Sequence, residues 1–528
     1  MPTFTPLLPT SPAFVRHQAQ RRGSHGGLVF GDRRITYGEL AIAIDDLGAW
    51  LRRRGLGKGD TVAVMAANEP ALVAMLYAVW GLGAIAVPVS VREQKPGLEY
   101  IINQCGARLI VHESALADRV PDGSACPALQ TRVAVGVVGA GAAGGMVGAG
   151  AMVGAGAEGG GFAALFRHGA ITAAVAVTEE DTALILYTSG TTGRPKGAML
   201  SHFNIAHSVM HFESCMRLTG VDRSALAVPA SHVTGLIAII ATMLRVGGAV
   251  IMLREFKAAG FIAEAAAERM THAILVPAMV NLILLQPDLA RFDLSAWRVG
   301  GYGGAPMAVA TIDALATRLP NLIPTNAYGA TETTSPVTVM PVGATRAHAD
   351  TVGVTVPCGH VIVVDAAGAE VPCGETGELW IGGPMIVRGY WDNAEATARE
   401  FTAGYWHSGD LGSIDAKGHV RIFDRKKDML NRGGYKIYSV EVENTLLGYP
   451  GVVEAAVVGK PCPVLGERVH VFVHAPGGGI SEADLRSYCA ARLADYKVPE
   501  SVSFSALPLP RNPNGKLMKR LLREQLPQ

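Results

Sequence analysis

Short apolar runs alternate with amphipathic stretches over the first 300 residues, and this pattern confines the chain to α/β architectures. Runs at residues 61–64 (TVAV), 84–89 (AIAVPV), 109–111 and 183–186 read as buried strands. Amphipathic stretches at 37–54 and 69–82 read as helices, and the alternation returns at 225–229, 249–253, 273–276 and 298–300. From about residue 352 the texture changes to short strands with Gly turns, which predicts a β-rich subdomain. From residue 427 a compact α+β pattern follows. The expected fold is α/β: a large N-terminal body of mixed and parallel sheets flanked by helices (1–426), bearing the β-rich subdomain, and a small α+β C-terminal cap (427–528).

A length of 528 residues fits several lobes. Lys and Arg total 46 against 45 Asp and Glu, with no dense basic run, which argues against a nucleic-acid binder. Seven Cys are scattered without a C-x-x-C pair, so neither a disulfide framework nor a structural zinc site is expected. The N-terminal stretch is interrupted by Pro and lacks the apolar core of a signal peptide, so a cytoplasmic protein is expected. Residues 133–157 carry no charge and are long enough to span a bilayer. They consist almost wholly of Gly, Ala, Val and Met with a tandem MVGAGA repeat, and Gly weakens a helix by ~1 kcal/mol each. A low-complexity insertion at about 133–161 is the expected reading, with no stable membrane span.

The chemistry concentrates in residues 186–197, LYTSGTTGRPKG, after the apolar strand and before a helix expected from Ser201. Gly190, Gly193 and Gly197 let backbone approach an oxyanion. Thr188, Ser189, Thr191 and Thr192 supply hydroxyls, and Lys196 supplies a positive charge. This suits a polyphosphate. It is not the Walker pattern, because Pro195 precedes the lysine and Gly197 follows it.

With this motif the chain resembles the adenylate-forming superfamily, the acid–CoA ligase branch in particular. Four further segments fall in the family's order: GGAP at 303–306, NAYGATE at 326–332, WHSGD at 406–410 and DRKKD at 424–428. A fifth, PRNPNGK, ends at Lys516. The resemblance implies that Thr188, Ser189, Gly190, Thr191, Thr192 and Lys196 meet the phosphates of ATP. It places Gly303, Gly304, Ala305, Asn326, Tyr328, Gly329, Asp410, Ile422 and Arg425 around the rest of the nucleotide, with Asp410 on the ribose. Thr188 and Glu332 are the implied Mg²⁺ ligands, Glu332 being a hard oxygen donor. Lys516, His232 and Thr331 are the implied catalytic set. Lys427 occupies the hinge position that joins body and cap, and Gly434 and Lys436 line the implied channel for CoA.

Val233, Thr234, Tyr302 and Ala330 fall in the implied acyl pocket, with Tyr302 shortening it. The pocket segments carry no Lys or Arg for a second carboxylate, and residues 230–240 carry no acid to hold an α-amino group. An apolar monocarboxylic acid remains, either fatty, alicyclic or aromatic. The implied activity is an ATP-dependent acyl-CoA synthetase working through acyl-AMP, with Mg²⁺ as cofactor and ATP and CoA as co-substrates. The runner-up is a stand-alone acyl-AMP synthetase that loads a carrier protein. A non-enzymatic scaffold is disfavoured because Lys196, Glu332, Asp410 and Lys516 are retained together. Homodimerisation is left open.

Overall fold

The computed structural model describes residues 8, 10–135, 175–188, 194–511 and 517–526. Two large sheets build the body. The first has six strands in the order Thr131–Val135, Leu109–Glu113, Thr61–Met65, Ile85–Pro88, Thr182–Thr188, Lys196–Ser201, parallel except for the last pair. The second has nine strands. Its centre runs Ile323–Tyr328, Val299–Tyr302, His272–Leu275, Arg223–Leu226, Ala249–Met252, Gly26–Phe30, all parallel, with short antiparallel strands at both edges. The strand Thr131–Val135 takes in the first three residues of the uncharged 133–157 run, and the rest of that run lies outside the described residues. Among the described residues no helix is long and apolar enough to cross a membrane.

The core lies between the two sheets. The helix Pro70–Gly81 is apolar on every side and buried from Pro70 to Trp80 apart from one residue, as a helix between two sheets must be. Pro70 starts it, where a missing N–H costs no hydrogen bond. Beside it the helix Tyr37–Arg53 opens with a capping box, Thr36 and Glu39 each satisfying the other's backbone N–H. Two buried donors tie these helices to the sheets: the Trp80 indole to the Ala183 carbonyl (2.8 Å) and the Tyr37 hydroxyl to the Gly248 carbonyl (2.7 Å).

The β-rich subdomain is a five-stranded antiparallel sheet including Gly377–Gly382, Tyr405–Ile414 and Val420–Arg425. It joins the nine-stranded sheet through backbone bonds between Val352 and Val420 and between Val420 and Gly353. The C-terminal unit is a second five-stranded sheet, with Gly466–His474 at its centre and Glu454–Cys462 along one edge, and the helices Ser439–Leu447, Glu482–Ala490 and Lys519–Glu524. Its own apolar cluster holds Leu430, Val442, Leu446, Val457, Val471 and Leu485.

The helix expected from Ser201 is present as His202–Cys215, capped by Ser201, and a strand the sequence pattern does not announce, Lys196–Ser201, precedes it and pairs antiparallel with Thr182–Thr188. Residues Thr234–Ala241 form a π-helix, a rare conformation, starting two residues after His232.

Candidate active site

In a parallel sheet the ligand-bearing loops leave the carboxyl ends of the strands. Four adjacent parallel strands of the nine-stranded sheet end at Leu226, Leu275, Tyr302 and Tyr328. The segments that follow them are 227–233, 276–279, 303–306 and 329–337, and three of them carry His232 and Val233, Gly303 to Ala305, and Gly329 to Glu332. Gly303 is obligatory here: a Cβ would stand 2.3 Å from the Ala327 carbonyl oxygen.

Asp410 is buried on the strand Tyr405–Ile414 and faces Arg425 across an antiparallel pair. Arg425 Nε lies 2.6 Å from Asp410 Oδ1, and the Tyr328 hydroxyl donates to Asp410 Oδ2 at 2.6 Å. Burial and the Asp410 charge push the Tyr328 hydroxyl well above its ordinary pKa, so it remains a donor. Three residues from three sequence motifs thus make one carboxylate site with fixed geometry.

A second cluster surrounds Lys196. Its ammonium lies 2.5 and 2.6 Å from the two oxygens of Glu400 and 4.2 Å from the centre of the Tyr390 ring. The Tyr390 hydroxyl lies 2.7 Å from Glu400 Oε2 and 3.0 Å from Oε1 of the buried Glu332. Burial works against the Glu400 charge, but Lys196 and Tyr390 outweigh it and hold that carboxyl below its usual range. Tyr390 reaches this place because its segment adds to the strand of the lysine: Ala198 bridges Tyr390, and Trp391 N–H donates to the Gly197 carbonyl at 2.7 Å. Arg425 also feels the charge of Glu332, so the two clusters share one field.

His232 is half-buried, and its Nδ1 accepts from the Thr234 backbone N–H at 3.2 Å. That bond assigns the proton of the neutral ring to Nε2. Val233 is buried and Ala330 half-buried, both against the central core cluster, and Thr234 lies 3.1 Å from His232 Nδ1. Thr188 sits opposite Lys196 in the hairpin, and its hydroxyl lies 3.5 Å from the Lys196 carbonyl. Thr331 is half-buried beside Glu332, and its carbonyl accepts from Thr334 N–H.

Other candidates lie apart. Tyr302 turns to the opposite face of its sheet, packed with Leu275, Val280, Trp297 and Met307, away from the cluster that holds Val233 and Ala330. Its hydroxyl meets the Asn326 side chain. The single-residue alternation of a strand explains this, since Val299 takes the other face. Ile422 packs on the small apolar cluster of Val363, Leu379 and Val420. Lys427 is exposed in the turn after Arg425, and Gly434 and Lys436 are exposed in a hairpin of the C-terminal unit. Ser189, Gly190, Thr191, Thr192 and Lys516 lie outside the described residues. Glu400 and Tyr390 were not singled out in the sequence, because no motif spacing links position 196 to position 400.

Mg²⁺ is usually bound by one or two carboxylates plus substrate phosphates rather than by a protein cage. Among the described residues no cluster of three or more His, Cys, Asp or Glu is arranged to hold a metal. Glu332, buried and hydrogen-bonded on one oxygen, fits the first pattern.

A family model described as AMP-binding enzyme matches residues 15–391, and one described as AMP-binding enzyme C-terminal domain matches 441–516. A feruloyl-CoA synthase from an Amycolatopsis species is 34% identical over 508 residues, covering 95% of each chain. The long-chain-fatty-acid–CoA ligase FadD13 of Mycobacterium tuberculosis is 31% identical over 494 residues, covering 94% of this chain and 93% of that one. ATP-bound MatB from Rhodopseudomonas palustris superposes with a TM-score of 0.86 at 29% identity, over 98% of this chain and 99% of that one.

Proposed function

This chain belongs to the AMP-binding, adenylate-forming family of acid–thiol ligases, and from that premise we propose that it converts an apolar monocarboxylic acid to its CoA thioester through acyl-AMP. The observation that carries the reading is the pair of clusters that share one field. Asp410 with Arg425 and Tyr328 suits the vicinal hydroxyls of a ribose, and Lys196 with Glu332 suits a metal-bound polyphosphate. The acid's class rests on the lining, since residues 230–240 and 276–279 carry neither a cation nor an acidic group. Relatives named for feruloyl and for long-chain fatty acids bracket that class.

In the first step a carboxylate oxygen attacks the α-phosphorus of ATP, the bond to the β-phosphate oxygen breaks, and pyrophosphate leaves. Both reactants are anions, so the protein's contribution is alignment and charge neutralisation. Asp410 orients the ribose, Lys196 meets the departing phosphates, and Lys516 draws carboxylate and α-phosphate together. The Nε2–H of His232 donates toward the acid's oxygen. Bound Mg²⁺, held by Glu332, Thr188 and the phosphates, would neutralise phosphate charge. In the second step the CoA sulfur attacks the acyl carbonyl, the thiol proton is lost and AMP departs. A hinge at Lys427 lets the C-terminal unit exchange Lys516 for the turn at Gly434 between the two steps.

The test is product analysis with ATP, Mg²⁺ and CoA over a panel of fatty, alicyclic and aromatic acids. Stoichiometric AMP and acyl-CoA from at least one such acid is expected. Adenylation that no CoA accelerates, but a phosphopantetheinyl carrier protein does, would replace CoA by the carrier as acceptor.

A further inference from the structure

We propose that Glu400 and Tyr390 are positioning residues, which set Lys196 and Glu332 in one arrangement before nucleotide binds. The proposal rests on the nucleotide reading above and goes beyond it, because neither residue has a place in the motifs that carry that reading.

Lys196 has only a tenth of its side chain exposed. A lysine so enclosed keeps its charge only beside a counter-charge. Glu400 provides it with both oxygens, and the Tyr390 ring face provides a second attraction to the cation. An ammonium carries three donors, and the carboxylate takes two, so one stays available to a phosphate along a fixed direction. Lysine has four side-chain torsions, and without this clamp the charge would be spread over many rotamers.

Tyr390 extends the clamp to Glu332. Its hydroxyl has one proton and stands between two carboxylates, nearer Glu400. It thereby fixes the separation of Glu332 from the lysine and leaves the second Glu332 oxygen uncommitted by this bond. The backbone is built for the arrangement. Asn393 caps the helix Ala394–Glu400 through Ala396 N–H, and Tyr390 N–H donates to Thr397 Oγ1 at 3.0 Å. Gly389 lies against Thr397 with φ +149°, where a Cβ would come within 2.5 Å of the Thr397 methyl. This hook holds Glu400 over Tyr390 at a sequence distance of ten residues. Arg399 also reaches Glu400 Oε1, at 3.3 Å, so the carboxylate keeps a cation when Lys196 turns to a ligand.

A clamp on the lysine affects phosphates beyond the α-position, whereas Asp410 serves the ribose. Calorimetric titration of the Mg²⁺ complex of α,β-methylene-ATP and, separately, of AMP distinguishes the two. Glu400→Ala is expected to weaken the triphosphate analogue at least tenfold and AMP less than twofold. Glu400→Gln, which keeps the acceptor but not the charge, should fall between. In a Lys196→Met background Glu400→Ala should add less than twofold, because its effect runs through the lysine. Unchanged or tighter binding of the analogue by Glu400→Ala, equal losses for the analogue and AMP, or a full additional loss in the Lys196→Met background would each overturn the proposal. Wild-type protein that binds neither nucleotide would overturn the functional reading, and the proposal with it, which is a distinct result.

Discussion

Arg425 and Asp410 occupy directly opposed positions of two antiparallel strands, and their side chains close to 2.6 Å above the sheet. Register, rather than loop flexibility, fixes this pair. Asp410→Asn removes the charge that holds Arg425 and turns one of the two acceptor oxygens, which serve Arg425 and the Tyr328 hydroxyl, into a donor, leaving shape unchanged. The KM for ATP should rise about tenfold or more, ~1.4 kcal/mol or greater, while the KM for the acid changes little. Initial-rate kinetics with each substrate varied in turn check this, and equal rises in both constants would contradict it.

Gly434 sits at φ +91° with nothing within 4 Å of where a Cβ would stand. Leu there costs ~1–2 kcal/mol in backbone strain but meets no neighbour in this arrangement. Gly434→Leu should therefore keep acid-dependent adenylation and lose thioester formation from supplied acyl-AMP. Lys516→Ala should do the reverse. Single-turnover assays of the two half-reactions decide the matter, and equal loss of both in both folded variants would refute alternation about Lys427.

The polar link between body and C-terminal unit has a comparable test. Asp424 Oδ1 accepts from the Ser439 hydroxyl at 3.0 Å, and Lys519 lies 2.6 Å from that hydroxyl and 2.7 Å from Glu443. Lys519→Met would leave Asp424 and Glu443 without their cation, a loss of ~3 kcal/mol for a largely buried pair. Hydrogen exchange should speed up in the helix Ser439–Leu447 and stay unchanged in Pro70–Gly81. Unchanged exchange in both helices would count against the link.

Three buried histidines predict acid sensitivity. Burial lowers His202, His211 and His272 to about 4 from an ordinary 6.5. The folded state favours the neutral ring, so this stability is fully present above about pH 6.5 and is lost as pH falls towards 4. Each contributes up to ~2–3 kcal/mol over that window. His272→Gln is expected to be less stable than wild type at pH 7, with the gap in melting temperature closing by pH 4.5. Parallel curves across that range would contradict the assignment.

Much of the fold was legible because its strands are buried on both faces. Runs such as Thr61–Met65 and Ile85–Pro88 are apolar without a break, and they lie where the sequence reading put them. The strand Lys196–Ser201 was not legible, since KGAMLS has neither strict alternation nor an unbroken apolar run. The Asp410, Tyr328 and Glu332 positions could be found because each sits in a short motif with its own turn. Glu400 could not, since its partner is 204 residues away and is brought to it by strand addition at Tyr390. Tyr302 was placed in the acyl pocket from its position in the chain. Its orientation is set by strand alternation, which sends its ring to the other side of the sheet.

In the proposed reaction a mixed anhydride of the acid with AMP forms before any thiol is needed. Exchange of labelled pyrophosphate into ATP, measured with Mg²⁺ and the productive acid but without CoA, reads that step directly. Exchange is expected to require the acid and to be abolished in Lys516→Ala. Thioester formation without any acid-dependent exchange, accompanied by ADP and inorganic phosphate, would contradict this expectation.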